Sequence, residues 1–125
     1  TAQHSVGDAV AVLATRRVGA VPVMEGNSVV GIFSERDVIH AIHAHGADAM
    51  ARSVGDTMTA PPITVTPSEA VIGALSLMTR RRIRHLPVVE GDTVIGFVSI
   101  GDLVKYRIDR IEADAEAMRS YIQSA

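Results

Sequence analysis

The chain has 125 residues, 47% of them hydrophobic, and its 12 Lys and Arg against 14 Asp and Glu give a formal charge of −2. That length suits one compact domain or two half-domains sharing a core, and the charge gives no general affinity for nucleic acid or an anionic membrane. Cys is absent, which excludes disulfides, thiolate metal sites and Cys nucleophiles and fits a reducing cytoplasm; no apolar run approaches the ~20 residues of a membrane-spanning helix.

In chain order, Ser5 to Arg17 reads as a helix without the Pro and Glu of a capping box, so its start is expected to fray. Pro22-Val23 and Gly31 to Ser34 flank a Glu25-Gly26 turn and read as a hairpin. A helix follows, and its Ala- and His-rich end, Ala41 to Ala51, passes a turn at Gly46. Val54 to Met58 reads as a short lead-in helix, and Ala60-Pro61-Pro62 as extended chain, because residues before Pro avoid helical angles. Ile63 to Thr66 alternates and is β-branched, which predicts a strand. Thr66-Pro67-Ser68-Glu69 has the form of a capping box, and Val71, Leu75 and Met78 follow at helical spacing. Arg80, Arg81 and Arg82 close that helix, where cations complement its dipole. Leu86 to Val89 and Thr93 to Ser99 form a second hairpin around Glu90-Gly91-Asp92.

A long helix runs from about Ser99 to Ser124. Val104, Ile108, Ile111, Ala115, Met118 and Ile122 alternate by four and three, a heptad seam that predicts self-association, with Lys105/Asp109 and Arg110/Asp114 as flanking i,i+4 pairs.

One unit is written twice. Val6 to Asp37 recurs without a gap 65 positions later, from Val71 to Asp102. Each copy has the order strand, helix, strand, strand, helix, except that Thr1 aligns with Thr66, so the first copy lacks its opening strand. Either the chain has been trimmed or the protein continues upstream of Thr1.

The repeated turn, Gly31 to Asp37 and Gly96 to Asp102, carries the most chemistry. Ser followed three residues later by Asp is a helix-capping signature in its own right. Alternatively, each Asp carboxylate accepts two hydrogen bonds from a vicinal diol such as a ribose, beside the Ser hydroxyl and the free N–H groups of a helix start. Arg84 and His85 enter a strand near the second turn and could hold phosphate, where the first copy has Gly19 and Ala20; Arg36 could partly compensate. His40 and His43 are i,i+3, but no further ligand completes a metal site. No nucleophile elbow, P-loop or dinucleotide fingerprint is present, so no catalytic activity is expected.

The duplicated unit resembles a tandem pair of CBS (cystathionine β-synthase) domains, a Bateman module of the small stand-alone bacterial type. The resemblance rests on Arg17 to Val23 with Gly31 to Asp37, on Arg82 to Val88 with Gly96 to Asp102, and on the lead-in Val54 to Thr59. It implies an α/β (α+β) fold of two pseudo-symmetric β-α-β-β-α units, residues 1–52 and 53–107, with a C-terminal helix over 108–125. It also implies a regulatory sensor whose clefts take an adenine nucleotide, AMP foremost, with NAD, ATP or S-adenosylmethionine as alternatives. By the same resemblance, Asp102 and Asp37 accept the ribose with Ser99 and Ser34 beside them, and Thr64 lines the cleft. Arg84 and His85, with Arg36 as a further candidate, meet phosphate. A cytoplasmic homodimer is expected. Two alternatives stand beside the sensor: an assembly module with vestigial clefts, and a regulatory fragment of a larger enzyme.

Overall fold

A computed structural model describes residues 1–124, with side chains through residue 122. By packing, the chain divides into a first unit, Thr1–Pro67 with Pro87–Phe97, and a second, Ser68–Leu86 with Val98 onward.

The first unit opens with α1 (Val6–Arg16), which is capped. Ser5 Oγ accepts the backbone N–H of Asp8 at 3.1 Å. The expected frayed start is therefore corrected: Ser5-Val6-Gly7-Asp8 satisfies an orphan donor without Pro or Glu. The helix ends at Arg17 in the left-handed region, φ 53°, and Val18 N–H returns to the Leu13 carbonyl at 3.1 Å, a Schellman-type ending.

Strands β1 (Ala20–Glu25) and β2 (Ser28–Ser34) pair antiparallel, with Val23 opposite Gly31 and a register shift between Val23 and Met24. Gly26, at φ 60°, supplies the positive angle that a two-residue hairpin loop needs. The core beneath joins Val6 and Leu13 of α1 to Val23, Phe33 and Val54. Phe33 is the one large aromatic in it, fully buried, as a chain with 3% aromatics requires. Helix α2 (Glu35–His45) leads into a 3-10 segment, Gly46–Ala51, and α3 (Val54–Thr57) is the expected lead-in helix.

The linker after α3 lies along β2. Thr59 and Ile32 exchange both backbone hydrogen bonds, at 2.8 and 2.9 Å. The peptide between Ala60 and Pro61 is cis. The strand expected over Ile63 to Thr66 reduces to one parallel bridge, Val65 with Val88. Val65 N–H donates to Pro87 O at 3.1 Å and Val65 O accepts from Val89 N–H at 2.8 Å.

In the second unit, α4 (Val71–Arg81) buries Ala74 and Met78 and packs against α5 (Ile100–Ser124). The capping box expected at Thr66 to Glu69 does not form. The N-cap is Ala70, with no side-chain bond. Ser and Pro suit turns as well as caps, and here they serve a turn between Val65, fixed by its bridge, and Val71. The helix ends like α1, with Arg82 at φ 55° and Ile83 N–H on the Met78 carbonyl at 3.0 Å. Strands β3 (His85–Glu90) and β4 (Thr93–Ser99) form the second hairpin, and their outer residues, Pro87–Phe97, belong to the first unit.

Candidate functional site

Each repeated turn ends a strand and starts a helix, and each is a capping box. In the first, Ser34 N–H donates to Asp37 Oδ2 at 2.8 Å and Asp37 N–H to Ser34 Oγ at 3.4 Å. In the second, Ser99 N–H donates to Asp102 Oδ2 at 2.9 Å and Asp102 N–H to Ser99 Oγ at 3.1 Å. The capping role is therefore present in both copies, and it fixes each carboxylate at a helix N-terminus, where the dipole favours negative charge.

A second geometry shared by the two copies ties each turn to the residue just before the first strand of its hairpin. Glu35 N–H donates to Gly19 O at 3.0 Å, and Ile100 N–H donates to Arg84 O at 2.7 Å, the same bond 65 positions on. Through it the second unit gathers Arg84, His85, Ser99 and Asp102. Arg84 is exposed and His85 half-buried. The Asp102 carboxyl is held below the ordinary aspartate range, first by the Ser99 N–H, then by the Ser99 hydroxyl, with smaller help from the charges of His85 and Lys105. An anionic acceptor on the helix start, with an exposed guanidinium and an imidazole at the head of the strand bonded to it, can hold a diol and a phosphate together.

The first turn differs. Asp37 is buried, 8% exposed, whereas Asp102 is exposed. Besides Ser34 N–H, Asp37 Oδ2 accepts the Ser34 hydroxyl at 3.1 Å, and Oδ1 accepts the Thr59 hydroxyl at 2.9 Å. Thr59 went unnoticed in the sequence as a site residue. Its position on the lead-in, whose counterpart in the first copy would precede Thr1, was the available signal.

Of the remaining candidates, Arg36 is exposed on the first turn of α2, and Thr64 is half-buried in the first unit beside the Val65 bridge. His40 and His43 lie on α2; among the described residues, no three His, Cys, Asp or Glu side chains gather as a metal site requires. The first unit also contains an apolar cavity of about 270 Å3 bounded by Val12, Val21, Val23 and Phe33, with His4 and Asp8 at its polar edge. No helix among the described residues is long and apolar enough to cross a membrane.

Comparison with known proteins matches this architecture. The family model for the CBS domain fits residues 1–44 and again 54–109. The chain is 38% identical over 128 aligned residues to the mitochondrial CBS domain-containing protein CBSX3 of Arabidopsis thaliana, covering 98% of this chain and 62% of that one. It therefore spans less than two thirds of that relative's length. A crystal structure of a CBS-domain containing protein from Agrobacterium tumefaciens superposes with a TM-score of 0.80 at 36% identity, over 84% of each chain. The crystal structure of CBSX2 in complex with AMP superposes with a TM-score of 0.75 at 28% identity, over 86% of this chain and 84% of that one. With both copies of the repeat matched and the fold shared, this chain belongs to the CBS-domain family.

Proposed function

We propose that the chain is a regulatory module that binds an adenosine ligand, AMP foremost, with Asp102 as the ribose acceptor and Arg84 and His85 as the phosphate contacts. The observation that carries this reading is the second turn: Asp102 is exposed, fixed by Ser99 and kept anionic, on a helix start that the Ile100–Arg84 backbone bond ties to the head of β3, where Arg84 and His85 stand. A ribose diol donates two hydrogen bonds, and an ionised carboxylate is the strong acceptor for them. The likeness to CBSX2, solved in complex with AMP, supports the ligand class. NAD, ATP and S-adenosylmethionine present the same adenosine and are the competing ligands. The module regulates rather than catalyses. A ligand does so by binding one arrangement of the protein better than another. A reducing compartment such as the cytoplasm is compatible with the absence of Cys.

Calorimetric titration with AMP, NAD, ATP and S-adenosylmethionine tests the reading. Saturable binding of at least one below about 1 mM is expected, and binding of none would remove its basis.

A second reading, assembly through α5, rests on its own observation. Val104, Ile108, Ile111, Met118 and Ile122 are 43% to 65% exposed along one seam of the helix. A sustained apolar heptad seam calls for a partner helix, and a second copy of this chain, as a homodimer, provides it.

A further inference from the structure

The two repeated turns share a sequence signature but not their surroundings. Over the first lies the linker. Thr59 is bonded to Ile32 through both backbone groups, and its side chain closes over Asp37 Oδ1 at 2.9 Å. Gly31 is what admits the linker: a Cβ there would stand 2.5 Å from Met58 Sδ and 3.0 Å from the Thr59 carbonyl oxygen. At the matching Gly96, a Cβ would meet nothing among the described residues nearer than the Val88 side chain at 3.7 Å. The first carboxylate is buried with both oxygens engaged, and the second is exposed with Oδ2 held by its cap.

We propose that Thr59 is a latch on the first turn: its hydroxyl occupies the acceptor position on Asp37 that a ligand diol would need, so this turn is closed to ligand until the linker leaves β2. Thr59 is thus a residue that decides which copy of the repeat binds. It rests on the proposed role of these aspartates as ribose acceptors and adds the reason that the two copies differ. A hydroxyl bonded to a buried carboxylate cannot be displaced without loss, because the carboxylate then needs another donor at once. A diol supplies that donor, so filling the first turn and releasing the Thr59–Ile32 bridge are one event. Thr59 carries the lock because its backbone is fixed on Ile32 by two hydrogen bonds while its hydroxyl reaches Asp37 Oδ1.

The test is AMP titration of three proteins by calorimetry. Wild type and Thr59→Ser, which keeps the hydroxyl, should bind one AMP per chain. Thr59→Val, of similar shape without the hydroxyl, should bind two, the added site tightening by about tenfold or more relative to any weak second phase in wild type. Thr59→Val with Asp102→Ala should retain one. Two equal sites in wild type would overturn the latch while leaving the adenosine reading intact. A single site in Thr59→Val that Asp102→Ala removes would do the same. If wild type binds no AMP, AMP is not the ligand of Asp102; binding of AMP by Thr59→Val alone would then uphold the latch, and its absence there would overturn it. Hydrogen exchange gives a measurement on the unaltered chain. At AMP concentrations that fill the first turn, the Ile32 and Thr59 amides should exchange faster, and unchanged protection with both turns filled would refute the coupling.

Discussion

Gly31→Ala and Gly96→Ala are the same substitution at matched positions of the repeat, yet they should differ sharply. At Gly31 the new methyl would sit 2.5 Å from Met58 Sδ and 3.0 Å from the Thr59 carbonyl. The thioether can swing away; the carbonyl cannot, because it accepts the Ile32 N–H at 2.9 Å. Overpacking of this kind costs about 1–3 kcal/mol. Shifting the linker also loosens the Thr59–Asp37 bond, adding to the upper part of that range. At roughly 4 °C per kcal/mol for a chain of this size, Gly31→Ala should melt about 4–12 °C lower. At Gly96 the nearest atoms of the described residues lie at 3.7 and 3.8 Å, ordinary contact distances, so Gly96→Ala should stay within about 0.5 kcal/mol of wild type or gain slightly from reduced freedom of the unfolded chain. Thermal melts followed by circular dichroism, at equal protein concentration, measure both. Equal shifts for the two variants would refute the claim that the linker sits closely on Gly31 while Gly96 has room for a methyl group.

Ser99→Ala should cost about 1 kcal/mol through the lost cap. It should also raise the Asp102 pKa part of the way toward its ordinary value, since the Ser99 N–H remains. Because the folded-state pKa is depressed, the stability linked to Asp102 is present above its unfolded value near pH 4 and lost as pH falls through the folded value. Carboxyl titration by NMR should find wild-type Asp102 still ionised below about pH 4, and an unshifted midpoint would contradict the geometry. Arg84→Ala should weaken AMP about tenfold while leaving adenosine unchanged; equal losses for the two would remove Arg84 from the phosphate. Ile111→Glu, on the exposed seam of α5, should convert a dimer to a monomer in sedimentation, and an unaltered mass would dismiss the seam as an interface.

Much of the fold was legible because the repeat constrains it. Both hairpins, the lead-in helix and the Ser-to-Asp helix starts follow from local chemistry: Gly at positive φ, and Ser and Asp three residues apart. What was misread depended on distant partners or on residues with two uses. Ile63 to Thr66 has the alternation of a strand, but only Val65 meets a neighbour. Thr66 to Glu69 has capping residues that serve a turn instead, while Ser5 caps α1 with Asp8, not Glu, three residues on. Of the two charge pairs expected on α5, Arg110–Asp114 forms, at 3.8 Å between exposed groups, where it contributes little. The asymmetry between the copies was partly visible, as Arg84-His85 against Gly19-Ala20. Its larger part was not, because nothing local ties Thr59 to Asp37, 22 residues earlier.

The central claim is that the second turn holds an adenosine ligand through Asp102. AMP titration of Asp102→Ala beside wild type tests it most directly. Removing a charged acceptor of two hydrogen bonds should weaken binding at least about tenfold with the fold intact, as the α5 start keeps its Ile100–Arg84 bond. Equal affinity in the two proteins would contradict the account and move the ligand away from Asp102.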